Sequence, residues 1–542
     1  MTSPARLAII GVDGATYRVL DPMIEAGVMP ALARFRARGA HSILRSTIPT
    51  YTPPAWCSMA TGVNPGRHGV FGFLDSTPQE PTAIAHSGSI RATPMWSMLS
   101  DQGVRVGILN VPMSYPPVQV NGFFVAGGLA TGWTDPEMPD FASDPETGRL
   151  VSDLSGGHYP VDTVVNYERD WRTPETVTRI ESVQRLRRRA LGALIERDDP
   201  QVVFAVFEGV DRLQHVFYQC LVEGSDWFGR PSSIEVRERS QAYFAELDGA
   251  IGDLVDWAGP DGHAMIVSDH GSGPWEKTVN LNLLLADWGY LGLPSIARLT
   301  RMGSIAGAGQ KLARRVIPRR WLHRAKASVE RGIAWDRTRA FASHVAEQGI
   351  HVNVRGAFPQ GHVDPGQVGP IERELTERLL ELRDPEDGQP VTDRVVQRQE
   401  VISGPYEGRA PHLFPLFRGQ RYEASDTLAA SGPFTDHRDR PWGYHHLDGV
   451  FIAAGPSIRP GAYEEGLDIV DVLPTALHVS GLSVPDGLDG RVVGGVLQGE
   501  AASRSVDTTA PTEHEDEPRT YPFTEQDEEA IAESLRGLGY IE

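Results

Sequence analysis

Cysteine is nearly absent: the 542-residue chain has two, Cys57 and Cys220. Two thiols cannot build a disulfide framework or a Cys-rich zinc site. Long hydrophobic runs are absent too. No window reaches the ~18 apolar residues of a membrane span. The start, MTSPARLAIIGVDGAT, has one Arg, a six-residue apolar run and then Asp13, too short for the core of a signal peptide. These absences lead us to expect a cytoplasmic protein. Positive charge is also scarce. Lys and Arg number 51 against 71 Asp and Glu, a net charge of −20. Bulk nucleic-acid binding needs a basic surface and is therefore excluded. Phosphate chemistry would need a source of positive charge other than the surface.

What is present alternates. Leu7–Val12, Arg105–Leu109, Val202–Phe207, Ala264–Val267 and Val450–Ala454 are short continuous apolar runs, the pattern of strands buried on both faces. Helical stretches lie between them. Pro174–Arg197 follows Thr173 as an N-cap, and Ser240–Trp257 repeats apolar residues near helical period. The alternation predicts an α/β fold, a mostly parallel sheet between helices. Ligands gather at the carboxyl ends of strands in such folds. Residues 75–95 and 130–172 read as loop insertions. Residues 298–331 hold ten Lys or Arg against one acid, Glu330. Residues 500–525 are polar and acidic, the composition of a disordered tail, before a short amphipathic helix at roughly Glu525–Leu538.

The strand ends carry acids and histidines. Asp13 follows the first run. Asp211 and His215 follow Phe207 at i, i+4 spacing, which places them on one helix face. Asp269 and His270 follow Val267, and His445 and His446 precede the last strand. Each piece alone has a bland reading as a helix cap or a surface ion pair. Together they form a carboxylate–imidazole set without sulfur. That suits Zn²⁺, with Mn²⁺ or Fe as substitutes. Five or six ligands exceed what one tetrahedral ion needs. Two ions ~4 Å apart is the economical reading, and such pairs act on phosphoryl groups.

The segment Thr47-Ile48-Pro49-Thr50-Tyr51-Thr52-Pro53-Pro54-Ala55-Trp56, running on to Thr61-Gly62-Val63-Asn64-Pro65-Gly66-Arg67-His68-Gly69-Val70, resembles the nucleophile segment of the type I phosphodiesterase/nucleotide pyrophosphatase family, within the alkaline phosphatase superfamily. The strand-end motifs follow in that family's order, so the resemblance covers most of residues 7–490. Asn110-Val111-Pro112-Met113, Gly404-Pro405-Tyr406 and Val484–Arg491 also resemble its prokaryotic branch. The resemblance implies an alkaline-phosphatase-like core over 1–290 and 345–498, an inserted basic lid over 291–344, and a tail over 499–542. It implies that Thr52 is the nucleophile, with Thr50 and Thr47 out of register. Asp13, Asp269 and His270 would hold the metal that binds the Thr52 oxygen. Asp211, His215 and His445 would hold the second, with His446 as the fallback for His445. The implied reaction cleaves a phosphodiester or pyrophosphate through a phosphothreonine.

Residue chemistry agrees with that role. A threonine hydroxyl is a poor nucleophile until a dication lowers its pKa. As the cap of the following helix, Thr52 would also bring phosphate to backbone N–H groups. One departure stands out: nucleotide-cleaving members carry Asn three residues after the nucleophile, and here that place is Ala55. Arg67, a backbone amide or a lid residue would serve in its stead, and Arg67 and His68 are the candidate substrate contacts. A sulfatase is rejected, because Cys57 lacks the C-x-P-x-R setting. A phosphomonoesterase or phosphomutase on the same core is the alternative enzyme. A membrane-surface hydrolase of lipid-linked esters is the third reading. It would use the arginines of 298–331 beside Trp321 and Leu322 for weak contact with anionic lipid. The substrate in each case is a small-molecule phosphoester.

Overall fold

The computed structural model describes residues 5–75, 83–128, 141–157, 159–163, 165–293, 333–343, 348–428 and 430–510, and also Phe523, Glu528, Ile531, Ala532 and Leu535. Eight strands form the central sheet. In spatial order they are Leu467–Asp468, Ala40–Arg45, Asp448–Ala454, His263–Val267, Leu7–Val12, Val202–Phe207, Val106–Leu109 and Gly122–Val125. Leu7–Val12 sits at the centre, parallel to Val202–Phe207 and to His263–Val267. Asp448–Ala454 is antiparallel to both of its neighbours.

The apolar runs are continuous because both faces are covered. Ala8, Ile10 and Val12 face one core cluster with Phe244, Leu247 and Ile251 of the Pro231–Ala258 helix. Leu7 and Ile9 face the other, with Trp56 and Met59 of the Thr52–Thr61 helix and Leu473 beyond. This is the period of two expected of a strand, with no polar face left over. The helix expected over Pro174–Arg197 runs Glu175–Asp198, and Ser240–Trp257 extends back to Pro231–Ala258. Within 130–172, Pro145–Leu154 and Tyr167–Asp170 are helical.

Seven strands between Lys277 and Asp436 form, among the described residues, a second sheet with its own apolar core. Its strands are mostly three to six residues long and its pairings mostly antiparallel. It reaches the segment before Thr52: Gln348 accepts from the Thr50 N–H at 2.8 Å. The basic stretch 298–331 lies outside the described residues. No helix among the described residues is long and apolar enough to cross a membrane.

Three buried histidines set an acid limit on stability. Burial pushes His68 and His412 down to about 3 and His263 to about 4. Their unfolded value is ~6.5. Between those values the unfolded chain binds protons that the native protein does not, so stability is full above pH ~6.5 and falls as pH drops toward 4. Calorimetric unfolding at pH 5.5 in buffers of different ionisation enthalpy should report uptake of slightly under three protons from these histidines. Uptake near zero would overturn the neutral assignment.

Candidate metal centre

The sheet explains why residues far apart in sequence meet. Three adjacent parallel strands end side by side, so Asp13, Asp211 and the Asp269–His270 pair emerge at one edge. Asp448–Ala454 runs the opposite way, so its beginning lies at that edge and delivers His445. His445 is further held by pairing of Gly443–His446 with Gly271–Pro274. Ala40–Arg45 ends at the same edge and leads into Thr52.

The side chains converge into one buried cluster. Asp13, Asp211, Asp269, His215, His270 and His445 are all at most 4% exposed. His270 Nε2 lies 3.3 Å from Asp269 Oδ2 and 3.7 Å from Asp13 Oδ1. His215 Nε2 lies 3.1 Å from Asp211 Oδ1 and 3.1 Å from His445 Nε2. Two groups could each hold an ion: Asp13, Asp269 and His270, and Asp211, His270 and His445. His446 is outside both; its Nε2 meets Gln420 at 3.3 Å.

The surrounding shell aims the ligand atoms. His215, His270 and His445 each direct Nδ1 to a backbone carbonyl, of Gly443, Gly271 and Thr50, at 2.9–3.2 Å. Each Nε2 lone pair therefore faces the cluster, the arrangement that fixes tautomer at metal-binding histidines. Trp56 Nε1 donates to Asp13 Oδ2, and the Gly14 N–H to Asp269 Oδ1. Gly14 has φ +66°, and a Cβ there would stand 2.9 Å from Asp211 Oδ1. Only glycine serves at that position. Four atoms remain buried with no hydrogen-bond partner: Asp13 Oδ1, Asp211 Oδ1, Asp269 Oδ2 and His270 Nε2. Such orphans are costly, and here they point at one another. Burial, together with the neighbouring carboxylates, pushes Asp13 and Asp269 well above the usual carboxylate range. Burial opposes ionisation of Asp211 as well, but His215 and Arg212 beside it hold its carboxyl below that range. Burial, with His270 and His215 nearby, pushes His445 well below its usual value. This donor set fits divalent cations, which would satisfy the orphans and cancel the crowded charge.

Thr52 opens beside this cluster, in a cleft it shares with Asp13 and Arg212. It is the first residue of its helix, and Tyr51, in extended conformation, is the N-cap. This corrects the expectation that Thr52 caps. It also corrects the expected phosphate cradle of N–H groups. Pro53 and Pro54 have no N–H, and Ala55 N–H is bonded to Tyr51 O at 3.1 Å. The hydroxyls of Thr47 and Thr50 are bonded to backbone carbonyls, of Pro49 and Thr47.

Arg67 and His68 do not line this cleft. Arg67 pairs with Asp489 at 3.0 Å and caps the Gly487 carbonyl. His68 is fully buried, with Ser58 Oγ at 2.9 Å from its Nε2 and the Val70 N–H on its Nδ1. Both brace the turn after the Thr52–Thr61 helix. The residue missed from sequence is Arg212, whose only signal was adjacency to Asp211. Its guanidinium bonds Asp211 at 3.0 Å and Asp162 at 3.1 Å, and is nine-tenths buried. Asn110, Pro112 and Met113 of the segment noted in the sequence also line the cleft. Asn110 (φ +56°) and Met113 (φ +65°) adopt the left-handed region. Strain of this kind collects at functional sites.

Solved structures of phosphonoacetate hydrolase from Sinorhizobium meliloti 1021, in complex with phosphonoformate and with phosphonoacetate, share this fold. Each matches with a TM-score of 0.50 at 18% identity, over 88% of this chain and 96% of that chain. The likeness is one of fold, an alkaline-phosphatase-like α/β core. The family model for type I phosphodiesterase / nucleotide pyrophosphatase matches residues 7–424, over three-quarters of the chain. The chain therefore belongs to the type I phosphodiesterase/nucleotide pyrophosphatase family of the alkaline phosphatase superfamily, hydrolases acting on phosphoric ester bonds.

Proposed function

We propose that the protein hydrolyses small-molecule phosphodiesters or pyrophosphates at a two-ion site, through a phosphothreonine on Thr52. The observation that carries this reading is the convergence of four orphaned ligand atoms beside the cleft that Thr52 lines. Asp13, Asp269 and His270 would hold one ion, and Asp211, His215 and His445 the other, with Zn²⁺ the best match to the donors. When bound, the ions supply Lewis acidity to the phosphoryl oxygens and lower the pKa of a nearby hydroxyl.

The chain's own residues do the rest. The rigid start of its helix holds Thr52 toward the cleft. Its hydroxyl gives up its proton to water, a bond forms from Thr52 Oγ1 to phosphorus, and the bond from phosphorus to the departing oxygen breaks. That oxygen takes a proton from water. A water molecule then hydrolyses the phosphothreonine and restores the hydroxyl. Arg212, tethered by Asp162, is the donor that stands in for the Asn replaced by Ala55.

Charge favours a diester over a monoester. Two dications against Asp13, Asp211 and Asp269 leave one net positive charge, with the histidines neutral. Arg212 is cancelled by Asp162, and Glu208 by Arg187. One positive charge matches a singly charged diester; a dianionic monoester calls for more. The metal-reconstituted protein should turn over bis-p-nitrophenyl phosphate faster than p-nitrophenyl phosphate. Faster monoester turnover would sink the diesterase reading and leave the two-ion site standing.

A further inference from the structure

Asp162 holds Arg212 in the cleft, and Asp162 has to be held in turn. It belongs to residues 159–163, a short strap without regular secondary structure. Three distant side chains grip that strap. From the end of the Val106–Leu109 strand, Asn110 accepts from the Tyr159 hydroxyl at 2.5 Å and donates Nδ2 to the Val161 carbonyl at 3.0 Å. From the Glu175–Asp198 helix, Arg187 donates Nη2 to the same carbonyl at 2.9 Å. From the end of the Val202–Phe207 strand, Glu208 accepts the N–H and the hydroxyl of Thr163, both at 3.2 Å. Arg187 and Glu208 close on each other as an ion pair. Asp162, between the pinned Val161 and Thr163, accepts from Arg212 with both oxygens, at 3.1 and 3.3 Å.

Stability alone is a poor account of this arrangement. Arg187 is 1% exposed and Glu208 7%. The desolvation of two buried charges offsets most of their attraction, and apolar residues of similar volume often serve such a place as well or better. Asn110 makes its bonds from a left-handed backbone, φ +56°, which is disfavoured outside glycine. What the arrangement does secure is aim. A guanidinium already held in place loses less freedom when an anion arrives.

We propose that Arg187 and Asn110 are positioning residues: they fix the strap so that Asp162 holds the Arg212 guanidinium toward the phosphoryl group. The inference rests on the reading of Arg212 as the donor in this cleft. Arg187 does not line the cleft and touches no substrate. Asn110 lies on its wall, but its side-chain oxygen and nitrogen are both bonded to the strap. This gives the asparagine of the Asn110-Val111-Pro112-Met113 segment a task.

A double-mutant cycle on phosphate binding tests this without turnover. Calorimetry reads the affinity of the full-length, metal-reconstituted protein for inorganic phosphate, with every variant compared at the same metal content. Arg212→Met should weaken binding about tenfold or more. Arg187→Met should weaken it about fivefold on its own, but by less than about twofold once Arg212→Met is present. Asn110→Gly suits the left-handed backbone and leaves the buried ion pair intact, so it should repeat that pattern even if Arg187→Met fails to fold. Losses that simply add in the double variants, the mark of a merely structural role, overturn the proposal. So do Arg187→Met and Asn110→Gly proteins that bind phosphate as wild type does. Wild-type protein that binds no phosphate, or Arg212→Met protein that binds it unchanged, overturns the reading of Arg212 and the proposal together. Failure of the diesterase reading would register separately, as absent hydrolysis of bis-p-nitrophenyl phosphate.

Discussion

Thr52→Ala should lower kcat/KM for bis-p-nitrophenyl phosphate by about 10³-fold or more while the protein stays folded. The substitution deletes the one hydroxyl of the 47–61 stretch that lines the cleft beside Asp13. Neighbouring hydroxyls cannot take over, because Thr47 and Thr50 are committed to backbone carbonyls. The fold should tolerate the change. Thr52 is the first helical residue, with Tyr51 as its N-cap, and alanine is a good helix former. Thermal midpoint and metal content should therefore match wild type within a few degrees and within error. Mass spectrometry of acid-quenched wild type should find phosphate on the Thr52 peptide, and none in the variant. Activity within tenfold of wild type would refute Thr52 as the nucleophile.

Removing the divalent ions should have the other large effect. Dialysis against a chelator is expected to reduce turnover by about 10⁴-fold, with recovery on adding Zn²⁺ and partial recovery with Mn²⁺. Stability should fall with it. Three buried carboxylates face one another across the cluster, and ions that bind only the native state stabilise by mass action. The thermal midpoint should drop by several degrees on chelation and return on reconstitution. Asp269→Asn, which removes one charge from the cluster, should weaken ion binding and lose activity together. Full turnover after exhaustive chelation, with no metal by elemental analysis, would end the two-ion reading.

Much of the core was legible in the chain itself. Leu7–Val12 and Val202–Phe207 read as strands because burial on both faces leaves no polar residue to break the run. Asp211 and His215 could be paired from spacing alone, since one helical turn puts them together wherever the helix lies. His445 was harder. Its position before a strand places it at the ligand edge only because that strand runs antiparallel to its neighbours. The second sheet was not legible. Its strands are short, and strand partners such as Lys277 and Asp436 lie far apart in the chain.

Local pattern, then, determined the alternating core and the acids and histidines at its strand ends, while the register that singles out Thr52 rests on the family resemblance. The former depend on periodicities and adjacent chemistry that a sequence carries directly. Tertiary structure alone decided which charged residues face the cleft. Arg67, adjacent to the Thr52–Thr61 helix, turns away to Asp489, whereas Arg212 is held in place by Asp162, 50 residues distant. It also brought Leu535, from the far end of the chain, to the cleft that Thr52 lines. Contacts of that kind come from packing between distant segments, where burial is non-directional and no local signal marks the partner.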